Sequence, residues 1–159
     1  MSSKINQDNT TSITDNEPQA FDGSCLCGQV SLRITPPLKL MQYCHCARCR
    51  KVTGSAHASN IYIDKSQLQW VSGEALVKRF EHPDAKYYAA AFCSNCGSSL
   101  PWQVKQGDTV VVPAGCLDGK LNIEPKQNIY WDSRACWFKD SGELPKFAEL
   151  PPRKPKPAE

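Results

Sequence analysis

An all-β or β-dominated fold is the expectation for this chain, and three observations carry it. Apolar residues alternate with period 2 over short runs, as at Val30, Leu32 and Ile34, which marks half-buried strands. Nine Gly and 12 Pro interrupt those runs too often for long helices. The cysteines come in close-set turns, C-x-C and C-x-x-C, that a metal ion can staple together.

In chain order, residues 1–20 are rich in Ser, Thr, Asn, Gln and Asp and read as a disordered tail. Cys25-Leu26-Cys27-Gly28 forms a turn feeding the strand of Val30, Leu32 and Ile34, which Pro36-Pro37 ends. Leu38 to Tyr43 is a second short strand. Ala47 to Val52 is a single helical turn stopped near Gly54. Strands are expected at Ala58–Ile63, Leu68–Val71 and Ala75–Glu81, with turns between them. After the His82-Pro83-Asp84 turn, Lys86–Phe92 runs as a strand into the knuckle Cys93-Ser94-Asn95-Cys96-Gly97, and Leu100–Lys105 leaves it. Thr109–Pro113 and Asn128–Trp131 complete the strands. The domain spans 21–150, and 151–159, PPRKPKPAE, is an extended solvated tail.

A chain of 159 residues suits one domain with a core of its own. The N-terminus has neither an apolar signal-type segment nor an Arg-rich transit pattern, and no apolar run approaches membrane-spanning length. A cytoplasmic setting with no membrane partner is the expectation. Nine cysteines, an odd count clustered at metal-ligand spacing, point to metal rather than disulfides. The formal charge of +3 omits them. Seven thiolates around two divalent ions add about −3, leaving a near-neutral protein for which nucleic acid is a poor partner.

Cys25, Cys27, Cys93 and Cys96 suit a closed four-thiolate zinc site, structural because no ligand position remains. Cys44, Cys46 and Cys49, in YCHCARCRK, suit a second zinc site whose fourth position is open. His45 is a competing fourth ligand, although neighbours in an extended turn point opposite ways. Cys136 is another, and otherwise Cys116 and Cys136 read as buried free thiols. Three thiolates make zinc a weak Lewis acid but a good holder of an incoming thiol, which becomes a positioned nucleophile. Trp131 and Trp137 are the tryptophans expected to wall a pocket.

The motifs GSCLCGQV, YCHCARCRKVTGS and FCSNCGSSL, in this order and spacing, resemble those of the glutathione-dependent formaldehyde-activating enzyme family, which includes centromere protein V. The resemblance covers roughly residues 21–150. It implies small coiled antiparallel sheets in a fold shared with a Rab-release factor, and two zinc ions per chain. Cys25, Cys27, Cys93 and Cys96 match the structural zinc ligands, and Cys44, Cys46 and Cys49 the catalytic zinc where the glutathione sulfur binds. The implied activity is that of a carbon-sulfur lyase joining a small thiol, glutathione as co-substrate, to formaldehyde or another small aldehyde. Arg48, Arg50 and Lys51 are candidate partners for the glutathione carboxylates, with Arg134 in support; a solvated basic edge is the competing role. Within NIYWDSRACWF the chain departs from the pattern, with Asn128 where the family commonly has His and Cys136 where it has Pro.

The alternative is a non-catalytic zinc module that carries glutathione or docks a macromolecular partner, for which the basic residues Arg153, Lys154 and Lys156 speak. Homo-oligomer formation stays open.

Overall fold

The structure, a computed structural model, describes residues 19–140, 142 and 144–152. The expected N-terminal tail falls almost wholly outside the described residues, as do Arg153, Lys154 and Lys156. In chain order the elements are β1 (Phe21–Ser24), β2 (Ser31–Ile34), β3 (Leu40–Cys44), α1 (Ala47–Thr53), β4 (Ala58–Asp64), β5 (Leu68–Ser72), β6 (Val77–Glu81), β7 (Ala89–Cys93), β8 (Ser99–Leu100), β9 (Trp102–Gln103), β10 (Thr109–Pro113) and β11 (Pro125–Ile129). The chain is thus β-dominated with a single α-helix among the described residues.

The strands form three small sheets, ordered β1-β2-β5, β11-β3-β4-β10-β9 and β6-β7-β8. Pairing is antiparallel except between β11 and β3, which run parallel. One hydrophobic cluster draws on all three sheets, including Leu32 and Ile34 of β2, Ile61 and Ile63 of β4, Val110 and Val112 of β10, and Leu100 of β8. Along β2 and β4 the period-2 pattern faces these residues inward while Arg33 and Tyr62 turn away.

Several boundaries differ from expectation for identifiable reasons. Phe21, 8% exposed, anchors an unforeseen strand β1 against β2. The expected continuous strand Leu100–Lys105 breaks at buried Pro101, which has no N–H to give a ladder. Before it β8 pairs with β7, and after it β9 pairs with β10, so Pro101 switches the chain between sheets. The strand placed at Asn128–Trp131 is β11, Pro125–Ile129, and Tyr130 at φ 55 ends it. Lys86 to Tyr88 lie outside β7. No helix among the described residues is long and apolar enough to cross a membrane.

Candidate metal centre and active site

The four-thiol group is built from two turns of the same design. In the first, the Gly28 N–H donates to the Cys25 carbonyl (2.9 Å) and the Cys25 N–H to Val30 (3.0 Å). In the second, the Gly97 N–H donates to the Cys93 carbonyl (2.8 Å) and the Cys93 N–H to Ser98 (3.0 Å). Gly28 and Gly97 both sit at φ 73, a left-handed conformation that costs glycine nothing, so each loop closes tightly enough to aim two sulfurs at one point. The Leu26 N–H donates to Ser98 Oγ (2.9 Å), pinning one knuckle to the other.

The Sγ atoms of Cys25, Cys27, Cys93 and Cys96 all lie within 4.8 Å of one another. Cys25 and Cys27 are 3.4 Å apart and Cys27 and Cys93 are 3.9 Å. Tetrahedral zinc with Zn–S bonds of about 2.3 Å requires sulfurs about 3.8 Å apart, so the foursome fits that ion. The Ser98 hydroxyl, first among several donors, draws the Cys96 thiol down to about 5.

The three-thiol group forms where β3 meets α1. Cys44 ends a central strand, paired with Ala58 of β4 on one side and Ile129 of β11 on the other. Cys46 is the N-cap of α1, its Sγ accepting the Cys49 N–H at 3.5 Å. The three-residue spacing then sets Cys49 on the same side, one turn along the helix. All three are buried and their Sγ atoms lie within 4.8 Å of one another. Hydrogen bonds from Cys44 and then Cys49 hold the Cys46 thiol far below its ordinary range, while contacts with Cys44 and Cys46, then burial, push Cys49 far above it. Three thiolates this close need a cation between them, and the donor set suits zinc.

His45 does not join that group, although it lies between two of its members. Its ring is fully buried, and Nε2–H donates to Asn128 Oδ1 at 2.9 Å. Its backbone N–H donates to Ile129 (3.0 Å), and its carbonyl accepts from Arg50 Nε (3.2 Å). Ring contacts with His57, Trp131 and Phe138 at 5.0 to 5.2 Å between centroids complete the enclosure. His45 is thus a clip that fixes the thiol loop to β11. Cys136 is exposed and outside the group, so the structure does not place it as a fourth donor, and it departs from the expected buried thiol. Cys116 is buried, and burial first of all pushes its thiol up to about 12.

A cavity of ≈ 260 Å³ opens on Cys44, Cys46 and Cys49. Arg48 and Lys86 line it, with the Tyr62 and Tyr88 rings and the Asn60 amide. The Arg48 guanidinium lies 5.3 Å from the Tyr88 ring centroid, which orients it. Burial first, then the charge of Cys49 and Cys46, holds the Tyr88 phenol above its ordinary range, so it remains a proton-bearing donor. Tyr62 Oη accepts from Gln42 Nε2 (2.9 Å), leaving its own proton free to donate.

The other sequence candidates sit elsewhere. Arg50 Nε donates to the His45 carbonyl, Lys51 is exposed on the last turn of α1, and Arg134 stacks over Trp131 at 4.8 Å. Trp131 and Trp137 wall a separate cavity of ≈ 570 Å³, with Tyr43, His57 and Phe138. Lys86, Tyr88, Tyr62 and Asn60 escaped sequence reasoning. Their shared property is proximity across sheets, which no linear spacing encodes; the aromatic pair following Lys86 was the one available hint.

A profile of the family described as glutathione-dependent formaldehyde-activating enzyme matches residues 20–133. No curated protein matches the chain. Among solved structures, a crystal structure of a Rhodobacter sphaeroides protein is similar at a TM-score of 0.52 and 20% identity, covering 67% of this chain and 98% of that one. That likeness shows the fold.

Proposed function

Because the chain belongs to the glutathione-dependent formaldehyde-activating enzyme family, we propose that it is a carbon-sulfur lyase-like enzyme with two zinc ions, one structural and one catalytic. It joins glutathione, or a similar thiol, to formaldehyde or another small carbonyl compound. The carrying observation is that one cavity is lined by all three buried thiols and by two cations.

Zinc bound by Cys44, Cys46 and Cys49 would hold an incoming thiol as the thiolate. Arg48 and Lys86 attract the carboxylates of glutathione, the arginine through paired hydrogen bonds. Arg50 keeps the thiol loop in place through the His45 carbonyl rather than touching substrate. In the addition, the glutathione sulfur forms a bond to the carbonyl carbon. The carbon–oxygen π pair moves to oxygen, which takes up the proton that the thiol gave away. The Tyr88 hydroxyl is the donor at hand for that oxygen, and the Asn60 amide can orient it. Thiol ligands must stay reduced, in keeping with a cytoplasmic setting.

The test is the rate of S-(hydroxymethyl)glutathione formation by zinc-loaded protein, measured above the spontaneous rate. Cys49→Ser should abolish the excess rate. An excess rate that survives in Cys49→Ser would remove these thiols from the chemistry.

A further inference from the structure

Cys49 stands between two cavities. On one side is the cationic cavity of ≈ 260 Å³; on the other is a trench of ≈ 710 Å³ that also touches Cys25 of the four-thiol group. Cys49, Asn60, Tyr88 and Trp102 line both. The two cavities therefore adjoin at the three-thiol group.

The two cavities differ in chemistry. Ser24, Thr53, Ser59, Ser98 and Ser99 line the trench along with Asn60. The Thr53 hydroxyl donates to the Cys49 carbonyl (2.9 Å) and the Ser98 hydroxyl is held by the Leu26 N–H and Cys96, which leaves Ser24, Ser59 and Ser99 as the hydroxyls for a ligand. Among the described residues no Lys or Arg lines it, and Asp118 is its one carboxylate. Its volume is kept open by small residues, Ala90 and Ala91 of β7 and Gly115. Formaldehyde, one carbon and one oxygen, uses almost none of this space. An anionic aldehyde would find no counter-charge there and would face Asp118.

We propose that the trench binds the electrophile, and that its preferred electrophile is an uncharged aldehyde of several carbons bearing hydroxyl groups. This rests on the thiol-addition chemistry proposed above and names its second substrate. The step is balanced: sulfur bonds to the aldehyde carbon, the π pair goes to oxygen, and the thiol proton follows it. The product is a hemithioacetal, and no oxidant or reductant takes part. Serine hydroxyls and the Asn60 amide replace the water around the hydroxyl groups, while Leu100 and Trp102 cover the carbon chain.

The test uses zinc-loaded wild type and Gly115→Trp. Gly115 lines the trench and a Cβ there meets no heavy atom within 4 Å, so the position has room for an indole that narrows the trench. With glutathione present, wild type should add to glyceraldehyde faster than the spontaneous reaction and faster than to glyoxylate. Gly115→Trp should lower kcat/KM for glyceraldehyde by about tenfold or more while leaving formaldehyde within about twofold. Saturation-transfer NMR with erythritol, an unreactive polyol, should show contact with wild type that is lost in the variant. Equal losses for both aldehydes, no loss for either, or glyoxylate used as well as glyceraldehyde overturns the proposal. If wild type accelerates neither aldehyde yet erythritol binds, the thiol-addition chemistry falls and the trench stands as a polyol site; if erythritol also fails to bind, both fall.

Discussion

His45 and Asn128, 83 positions apart, meet through a 2.9 Å hydrogen bond behind the three-thiol group. It forms because β11 runs parallel to β3, pairing Asn128 with Tyr43 and Ile129 with Cys44. The departure from the family's usual His at this position thus has a structural counterpart: the amide oxygen holds the imidazole that lies between two candidate ligands.

Asn128→Ala leaves the buried His45 Nε2 without an acceptor, at a cost of about 1–3 kcal/mol. Chelator competition should show weaker zinc at the three-thiol group and unchanged zinc at the four-thiol group. Equal weakening at both would mean that the bond stabilises only the domain as a whole.

Much of this was legible in the chain. The spacing of seven cysteines already sorts them into a foursome and a threesome, because turns two or three residues long bring sulfurs together wherever the fold carries them. Val30, Leu32 and Ile34 marked one core face through their alternation. What the chain concealed depends on partners distant in sequence. Pro101 looks like a blemish in one strand until two sheets compete for its flanks, and β11 is a polar run, Pro125–Ile129, that becomes a strand only because β3 offers it an edge. Lys86 and Tyr88 reach the thiols from outside any strand.

The two thiol groups should differ in what their loss does. Cys25 and Cys93 belong to the hydrophobic core, and their knuckles join β2 to β7. Cys93→Ser should yield little folded protein. Cys49→Ser should keep the circular dichroism of the wild type and lose one zinc, since the hydrophobic neighbours of that group among the described residues are Ala58, Tyr88 and Ile129. Comparable unfolding in both would erase the distinction between structural and catalytic roles.

Arg48→Ala should raise the glutathione KM by about ten- to hundredfold, the worth of a hydrogen bond to a charged group, with kcat much less affected. Lys51→Ala, on the exposed last turn of α1, should leave KM near wild type. The opposite ranking would move the carboxylate site along the helix.

Cys116 links stability to alkaline pH. Its folded thiol is pushed up to about 12, chiefly by burial, against about 8.5 for a free cysteine. The native state keeps the proton that the unfolded chain releases. This contribution is therefore complete below about pH 8.5 and is lost as pH rises towards 12. Denaturant midpoints measured from pH 8 to 10 should fall more steeply in wild type than in Cys116→Val. Parallel curves would mean that the thiol is solvated in the native protein.

In the proposed reaction Cys44, Cys46 and Cys49 hold a metal whose remaining position takes the sulfur of glutathione. Cobalt replacing zinc reports this directly through sulfur-to-metal charge-transfer absorption. Added glutathione should increase that absorption and saturate at one thiol per chain, while S-methylglutathione, which has no ionisable sulfur, should leave the spectrum as it was. A spectrum indifferent to glutathione in protein carrying two cobalt ions per chain would contradict the claim.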